Sequence, residues 1–190
     1  HFKDKRIWIR ATIHFKKGLE GILENDSKET LKVKVSLSIV TFNNSETIAK
    51  IINNILNLFI NRITFKIYII DNGSSDKTVN ICKSLSRKFS QIEVIENKHN
   101  VGFGAGHNCV LNLLDSQYHI VLNPDIKISS FSEIKKMIQF MDDNQTVGLL
   151  SPLVLNEDGS IQYLYKLKPT VLDLAIRFIS PKLMPNKQAK

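Results

Sequence analysis

Four β-rich apolar runs, each ending in a polar cluster, constrain this chain more than any other feature. Val35-Ser36-Leu37-Ser38-Ile39-Val40 reads as a buried strand that runs into Thr41-Phe42-Asn43. Ile67-Tyr68-Ile69-Ile70 stops at Asp71-Asn72-Gly73-Ser74. Ile92-Glu93-Val94-Ile95 leads to Asn100-Val101-Gly102-Phe103-Gly104, and His119-Ile120-Val121-Leu122 stops at Asn123-Pro124-Asp125. Helical periodicity fills the intervals. Ile48, Ile51, Ile52, Ile55, Leu56 and Phe59 fall at three- and four-residue steps, the spacing of an amphipathic helix. Val79, Cys82, Leu85 and Phe89 mark a second helix, residues 104–114 a third, and Ile134, Met137, Ile138 and Met141 a fourth. Val147-Gly148-Leu149-Leu150 reads as a fifth strand, and Asn156-Glu157-Asp158-Gly159 as a hairpin turn. Alternating strands and helices with short connections predict an α/β, three-layer sandwich with a mostly parallel central sheet. Open sheets of that kind bind ligands at the carboxyl ends of their strands, where the polar clusters fall.

Composition narrows the class. With 43% hydrophobic and 23% charged residues, the 190-residue chain is globular in character. No apolar run reaches the roughly 20 residues of a membrane span, and no secretory leader is expected. The first residue is His1 rather than Met, which suggests a processed, trimmed or partial chain. Two cysteines suit a reducing, cytoplasmic compartment. The net charge of +8 lies at the ends: residues 1–34 carry +4, residues 165–190 carry +5, and the stretch between carries −1. A nucleic-acid binder would more often hold its bases on the body, so no nucleic-acid partner is expected. Basic ends suit anionic lipid headgroups or an anionic substrate, or are simply solvated. We therefore divide the chain into an extension (1–33), a main domain (34–165) and a basic amphipathic segment (166–190). The extension holds Ile7-Trp8-Ile9, with Phe15, Leu19, Ile22 and Leu23 at helical spacing. In the last segment, Val171, Leu172, Leu174, Ala175, Phe178 and Ile179 form an amphipathic stretch beside Arg177, Lys182 and Lys187. It either rests peripherally on a membrane or packs on protein.

Taken in order, "VSLSIVTFNNSETI", "IYIIDNGSSDKT", "ENKHNVGFGAGHN" and "YHIVLNPDIKI" resemble the family 2 glycosyltransferases of GT-A (Rossmann-like) fold. The nearest branch is the rhamnosyltransferase-like one of bacterial surface polysaccharide synthesis. The resemblance spans about residues 34–165 and implies a nucleotide-sugar-binding domain for a UDP- or dTDP-type donor. Asp71 would accept the pyrimidine N–H, since a carboxylate only accepts. By the same resemblance Thr41, Asn43 and Glu46 line the other side of the nucleoside pocket. Gly73 and the 100–108 loop, with Asn100, Gly102, Phe103 and Asn108, complete it. Glycines at 102, 104 and 106 would let the backbone come close to the ligand. Asn123-Pro124-Asp125 resembles the family's Asp-x-Asp metal motif with Asn in first place. That leaves Asp125 as the main carboxylate for Mg²⁺ or Mn²⁺, with Asn123 beside the substrate.

The family's reaction is an inverting displacement by an acceptor hydroxyl. Its carboxylate base lies well downstream of the metal motif, and no matching acidic segment or Gly-Gly-Phe-Asp-Glu-like stretch occurs before Lys190. Asp142 and Asp143 sit near a helix end and Asp158 in a turn, places unsuited to a base. The catalytic residue is thus unassigned, and the chain reads as the donor-binding half of a longer enzyme. The acceptor implied is a cell-surface glycan or its lipid-linked precursor, at the inner face of the membrane.

Other readings stay open. The first alternative is a fragment that holds the sugar nucleotide without turnover. A basic nucleic-acid-binding α/β domain conflicts with the neutral body. A nucleotidyltransferase would want a glycine-rich loop and a basic residue after the first strand, where Thr41-Phe42-Asn43-Asn44 stands. The dinucleotide fingerprint G-x-G-x-x-G fails, because its third glycine falls at His107. His107 itself reads as a cap or packing residue, and Cys82 and Cys109 as inert thiols on apolar helix faces.

Overall fold

The structure, a computed structural model, describes residues 11–12, 33–155 and 159–162. The chain divides after Ser151 into two units. In the first, β1 (Ala11–Thr12) precedes β2 (Val35–Thr41), α1 (Ile48–Phe59), β3 (Phe65–Asp71), α2 (Thr78–Lys88) and β4 (Ile92–Glu96). Then come α3 (Phe103–Asn108), a 3₁₀ turn at Leu111–Leu113, β5 (Tyr118–Leu122), α4 (Phe131–Asp143) and β6 (Leu149–Leu150). The second unit holds an antiparallel pair, β7 (Val154–Leu155) and β8 (Ile161–Gln162). This pair is the expected hairpin; residues 156–158 of its turn lie outside the described residues.

Four strands form one parallel sheet in the order β4-β3-β2-β5. The chain steps outward from β2 to β3 to β4, then returns to the far side of β2 for β5. That reversal is a topological switch point. In open α/β sheets such a reversal is where ligands bind, outside the carboxyl ends of the strands, here those of β2 and β5.

Each face of β2 has its own chemistry. Val35, Leu37 and Ile39 join Ile67 and Ile69 of β3 in the main core, beneath Ile48, Ile52, Ile55 and Phe59 of α1. Cys82 of α2 and Ile134 and Met141 of α4 close the same layer. On the other face Val40, Tyr68 and Ile70 meet Val110, beside the buried Ser36 and Ser38. Burial of a large aliphatic side chain contributes about 1.5–3 kcal/mol, so the α1 layer dominates the energetics.

Three expectations are corrected. The fifth strand shrinks to Leu149–Leu150 and pairs antiparallel with β1, outside the parallel sheet. A turn in which Val147 N donates to Asn144 O occupies its first half. The helix expected over 104–114 ends at Asn108, and the chain tightens into the 3₁₀ turn once Val110 is buried. Cys109 is exposed, whereas Cys82 is buried as expected, and burial pushes its thiol up to about 12. The apolar runs at 7–9, 15–23 and 171–179 lie outside the described residues.

Candidate functional site

All four polar clusters emerge on the carboxyl rim of the sheet. Register fixes their relation: Thr41 pairs with Asp71, Asp71 with Glu96, and Ile39 with Leu122, one residue before Asn123. With neighbouring strands about 4.8 Å apart, the ends of β3 and β5 stand roughly 10 Å apart across β2. That span suits the base and diphosphate of one nucleotide better than two independent sites.

Asp71 is buried at the end of β3. Its Oδ2 accepts from the backbone N–H groups of Gly73 and Ser74 at 3.1 and 2.8 Å, and its Oδ1 from Ser74 Oγ at 2.5 Å. A carboxylate has about four acceptor sites, so the turn orients Asp71 and still leaves room on Oδ1. Gly73, at φ +76°, lets the turn pass the next segment: an added Cβ would stand 2.9 Å from the Cα of His99.

The loop after β2 is laced to the loop after β3. Asn43 N donates to Ser74 Oγ at 2.9 Å, and Asn43 Oδ1 accepts from Ser75 N at 2.9 Å. Asn44 N donates to Thr78 Oγ1 at 2.9 Å, and Ser45 N to Asp76 Oδ2 at 3.1 Å. Asp76 Oδ1 also accepts from Thr78 N, which caps the start of α2. These bonds, led by the Thr78 hydroxyl, hold the Asp76 carboxyl down at about 2. Thr41 is buried at this rim, and its Oγ1 has no hydrogen-bond partner.

Asn72 joins the third cluster to the second. Its Oδ1 accepts from Asn97 Nδ2 at 2.8 Å, and its Nδ2 donates to Gly102 O at 3.1 Å and Asn100 Oδ1 at 3.3 Å. Asn100 Oδ1 accepts from Gly102 N as well, at 2.9 Å. The glycine loop is therefore held from below by a fully used amide. Gly106 is required by packing: a Cβ there would stand 2.8 Å from Val40 Cγ2. A Cβ at Gly102 or Gly104 would meet open space.

The predicted residues thus divide by burial. Thr41, Asp71 and Asn123 are buried, while Asn43, Glu46, Asn100, Gly102, Phe103, Asn108 and Asp125 are exposed. Residues that the sequence reading left unassigned do much of the positioning: Asn72, Ser74, Asp76 and Thr78. Their signal was present in the run Asp71-Asn72-Gly73-Ser74-Ser75-Asp76-Lys77-Thr78, a turn followed by helix-start chemistry.

Among the described residues no three His, Cys, Asp or Glu side chains gather to hold a metal ion. Asp125 and Asn123 offer oxygen ligands on one short segment after β5. That donor set fits a hard cation such as Mg²⁺ or Mn²⁺ only when substrate phosphates and water complete the shell. Asp142 is engaged elsewhere: it accepts from the Tyr118 hydroxyl and pairs with Lys34 at 3.4 Å, and these contacts keep its carboxyl below the usual range.

A parallel sheet whose order reverses beside β2, with a turn-held carboxylate at the end of β3 and an Asn-x-Asp segment after β5, defines an open, Rossmann-like α/β domain. Residues 36–187 match the glycosyl transferase family 2, and the chain belongs to that family. It is 30% identical over 133 residues to an uncharacterized glycosyltransferase of Methanocaldococcus jannaschii, covering 68% of this chain and 45% of that protein. It is 24% identical over 160 residues to the poly(ribitol-phosphate) beta-glucosyltransferase of Bacillus spizizenii, covering 83% of this chain and 25% of the relative. The chain thus spans less than half the length of these relatives. Among solved structures, S. aureus TarS 1-349 in complex with UDP-GlcNAc aligns with a TM-score of 0.53 at 21% identity, over 60% of this chain and 33% of that one. The mannosyltransferase PcManGT from Pyrobaculum calidifontis, in complex with GDP-Man and Mn²⁺, aligns at 0.54 and 15% identity, over 60% and 34%. The fold is the GT-A glycosyltransferase fold, as the sequence motifs implied.

Proposed function

We propose that this chain is the donor-binding part of an inverting, divalent-metal-assisted glycosyltransferase. It takes a UDP- or dTDP-type sugar and serves transfer to a cell-surface glycan or a lipid-linked precursor. One observation carries this reading: Asp71 and the Asn123–Asp125 segment share the carboxyl rim on either side of β2.

The residues divide the work. Asp71 accepts a base N–H through the acceptor site its turn leaves open. The laced loops around Asn43 and Ser74 keep that carboxylate in place without reorganisation, which favours affinity. Asn100, Gly102, Phe103 and Asn108 edge the nucleoside pocket. Asp125 and Asn123 would hold Mg²⁺ or Mn²⁺, which when bound neutralises the departing diphosphate. In the transfer, an acceptor oxygen bonds to the anomeric carbon as the bond to the diphosphate breaks, and the electron pair leaves with the diphosphate. The base that takes the acceptor proton is unassigned. Relatives and aligned structures named for glucosyl transfer, UDP-GlcNAc and GDP-Man support the donor class. No helix among the described residues is long and apolar enough to cross a membrane. The cysteine usage supports a cytoplasmic location, and the basic ends support work at the membrane's inner face.

Calorimetric titration of UDP with and without Mn²⁺ tests the reading. Binding should require the metal in the wild type, and Asp125→Ala should lower affinity at least tenfold, about 1.4 kcal/mol. Unchanged UDP affinity in Asp125→Ala would overturn the metal assignment. Donor hydrolysis in the same sample distinguishes turnover from binding alone.

A further inference from the structure

Beneath the rim, on the face of the sheet away from α1, runs a buried polar chain that the nucleotide site does not use. Ser36, Ser38, His107 and His119 are all buried there. One end of the chain is anchored, and with both imidazoles neutral that anchor orders every proton in it. Ser116 Oγ donates to the Tyr118 carbonyl at 2.9 Å, because a carbonyl can only accept. With its single hydrogen committed, Ser116 Oγ accepts from Ser36 Oγ at 2.6 Å. Ser36 must then accept from His119 Nδ1–H at 2.7 Å. A neutral imidazole protonated at Nδ1 has a bare Nε2, so His119 Nε2 accepts from Ser38 Oγ at 2.8 Å. Ser38 in turn accepts from His107 Nδ1–H at 2.7 Å. His107 Nε2 ends the chain as a buried lone pair with no partner.

His107 belongs to α3, the weakest helix of the fold. Its six residues, Phe-Gly-Ala-Gly-His-Asn, include two glycines, and its first residue has no side-chain cap. A helix this short has no independent stability. The bond to Ser38 ties it to β2, Gly106 lies against Val40, and the Phe103 ring packs edge-on to His107 at 4.4 Å. We propose that His107 is a positioning residue: as the Nδ1–H tautomer it pins α3 to Ser38, and through α3 it sets Phe103, Asn108 and the glycine loop. The pin follows from the hydrogen-bond chain alone; its effect on nucleotide affinity rests on the function proposed above.

Two ligand-independent measurements test the pin on the full chain. Nitrogen-15 NMR of the imidazoles should find His107 protonated at Nδ1 and bare at Nε2. Ser38→Ala should speed amide exchange at Gly106, Cys109 and Val110 about tenfold, the loss of one buried hydrogen bond, with β3 amides unchanged. His107→Leu should do the same. His107→Asn, whose amide nitrogen can stand where Nδ1 stands, should restore protection. UDP affinity with Mn²⁺ should fall together with that protection and recover in His107→Asn. An Nε2–H tautomer at His107, or unchanged α3 exchange in both Ser38→Ala and His107→Leu, would overturn the pin. If the wild type binds no UDP while α3 exchange still responds, the pin stands and the nucleotide reading fails.

Discussion

Gly73 concentrates two constraints in one residue, a positive φ and the backbone of His99 at the distance of a clash. Gly73→Ala should cost about 1–3 kcal/mol, read by urea denaturation, because both the left-handed backbone and the close approach resist a Cβ. A loss below about 0.5 kcal/mol would mean that the segment through His99 yields. His107 provides a pH handle. Burial lowers its imidazole to about 4, while the unfolded value is near 6.5. The unfolded chain therefore binds more protons between those values. This contribution is fully present above pH 6.5 and fades as pH falls toward 4, up to about 3 kcal/mol. The difference in stability between wild type and His107→Asn, followed from pH 7 to 4, isolates it from the carboxylates. Residue roles were only partly legible in the sequence. Asp71 reads from its place at a strand end, whereas Asn72 reads as a turn residue until its three side-chain partners within residues 97–102 are seen. The packing constraint on Gly106 was not legible, because its neighbour, Val40, lies 66 positions away in the chain.

At the scale of elements, α1 is the main support of the sheet. Its inner face, Ile48, Ile51, Ile52, Ile55, Leu56 and Phe59, is buried throughout. Ile55→Ala should cost about 2–5 kcal/mol in thermal or urea unfolding, because the surrounding core is rigid. The exposed Asn53→Ala should change stability by less than about 0.5 kcal/mol. A mild Ile55→Ala effect would place the stability elsewhere. Element type was well marked wherever periodicity was strong: β2, β3, β4, β5, α1 and α4 lie where their apolar spacing puts them. It failed at Val147–Leu150, whose β-rich composition could not say which strand it would find, and at 104–114, where Leu111 and Leu113 are exposed rather than packed as a longer helix would pack them.

Across the molecule, the order β4-β3-β2-β5 converts four separate motifs into one rim. A thermal-shift screen of UDP-, dTDP- and GDP-sugars with and without Mn²⁺ reads that convergence. A donor that fits should raise stability by about 2.7 kcal/mol at 100 times its Kd, and only with metal present. No shift from any donor at millimolar concentration would separate the rim from nucleotide binding. The sequence by itself determined which segments are strands and helices, that strands and helices alternate, and that polar side chains follow each strand, because periodicity and turn chemistry are local. Only the tertiary structure decided that β5 returns beside β2, that Asn72 grips the glycine loop, and that three serines and two histidines form one ordered chain. Those outcomes depend on contacts between residues distant in sequence, and such contacts exist only once the sheet has assembled.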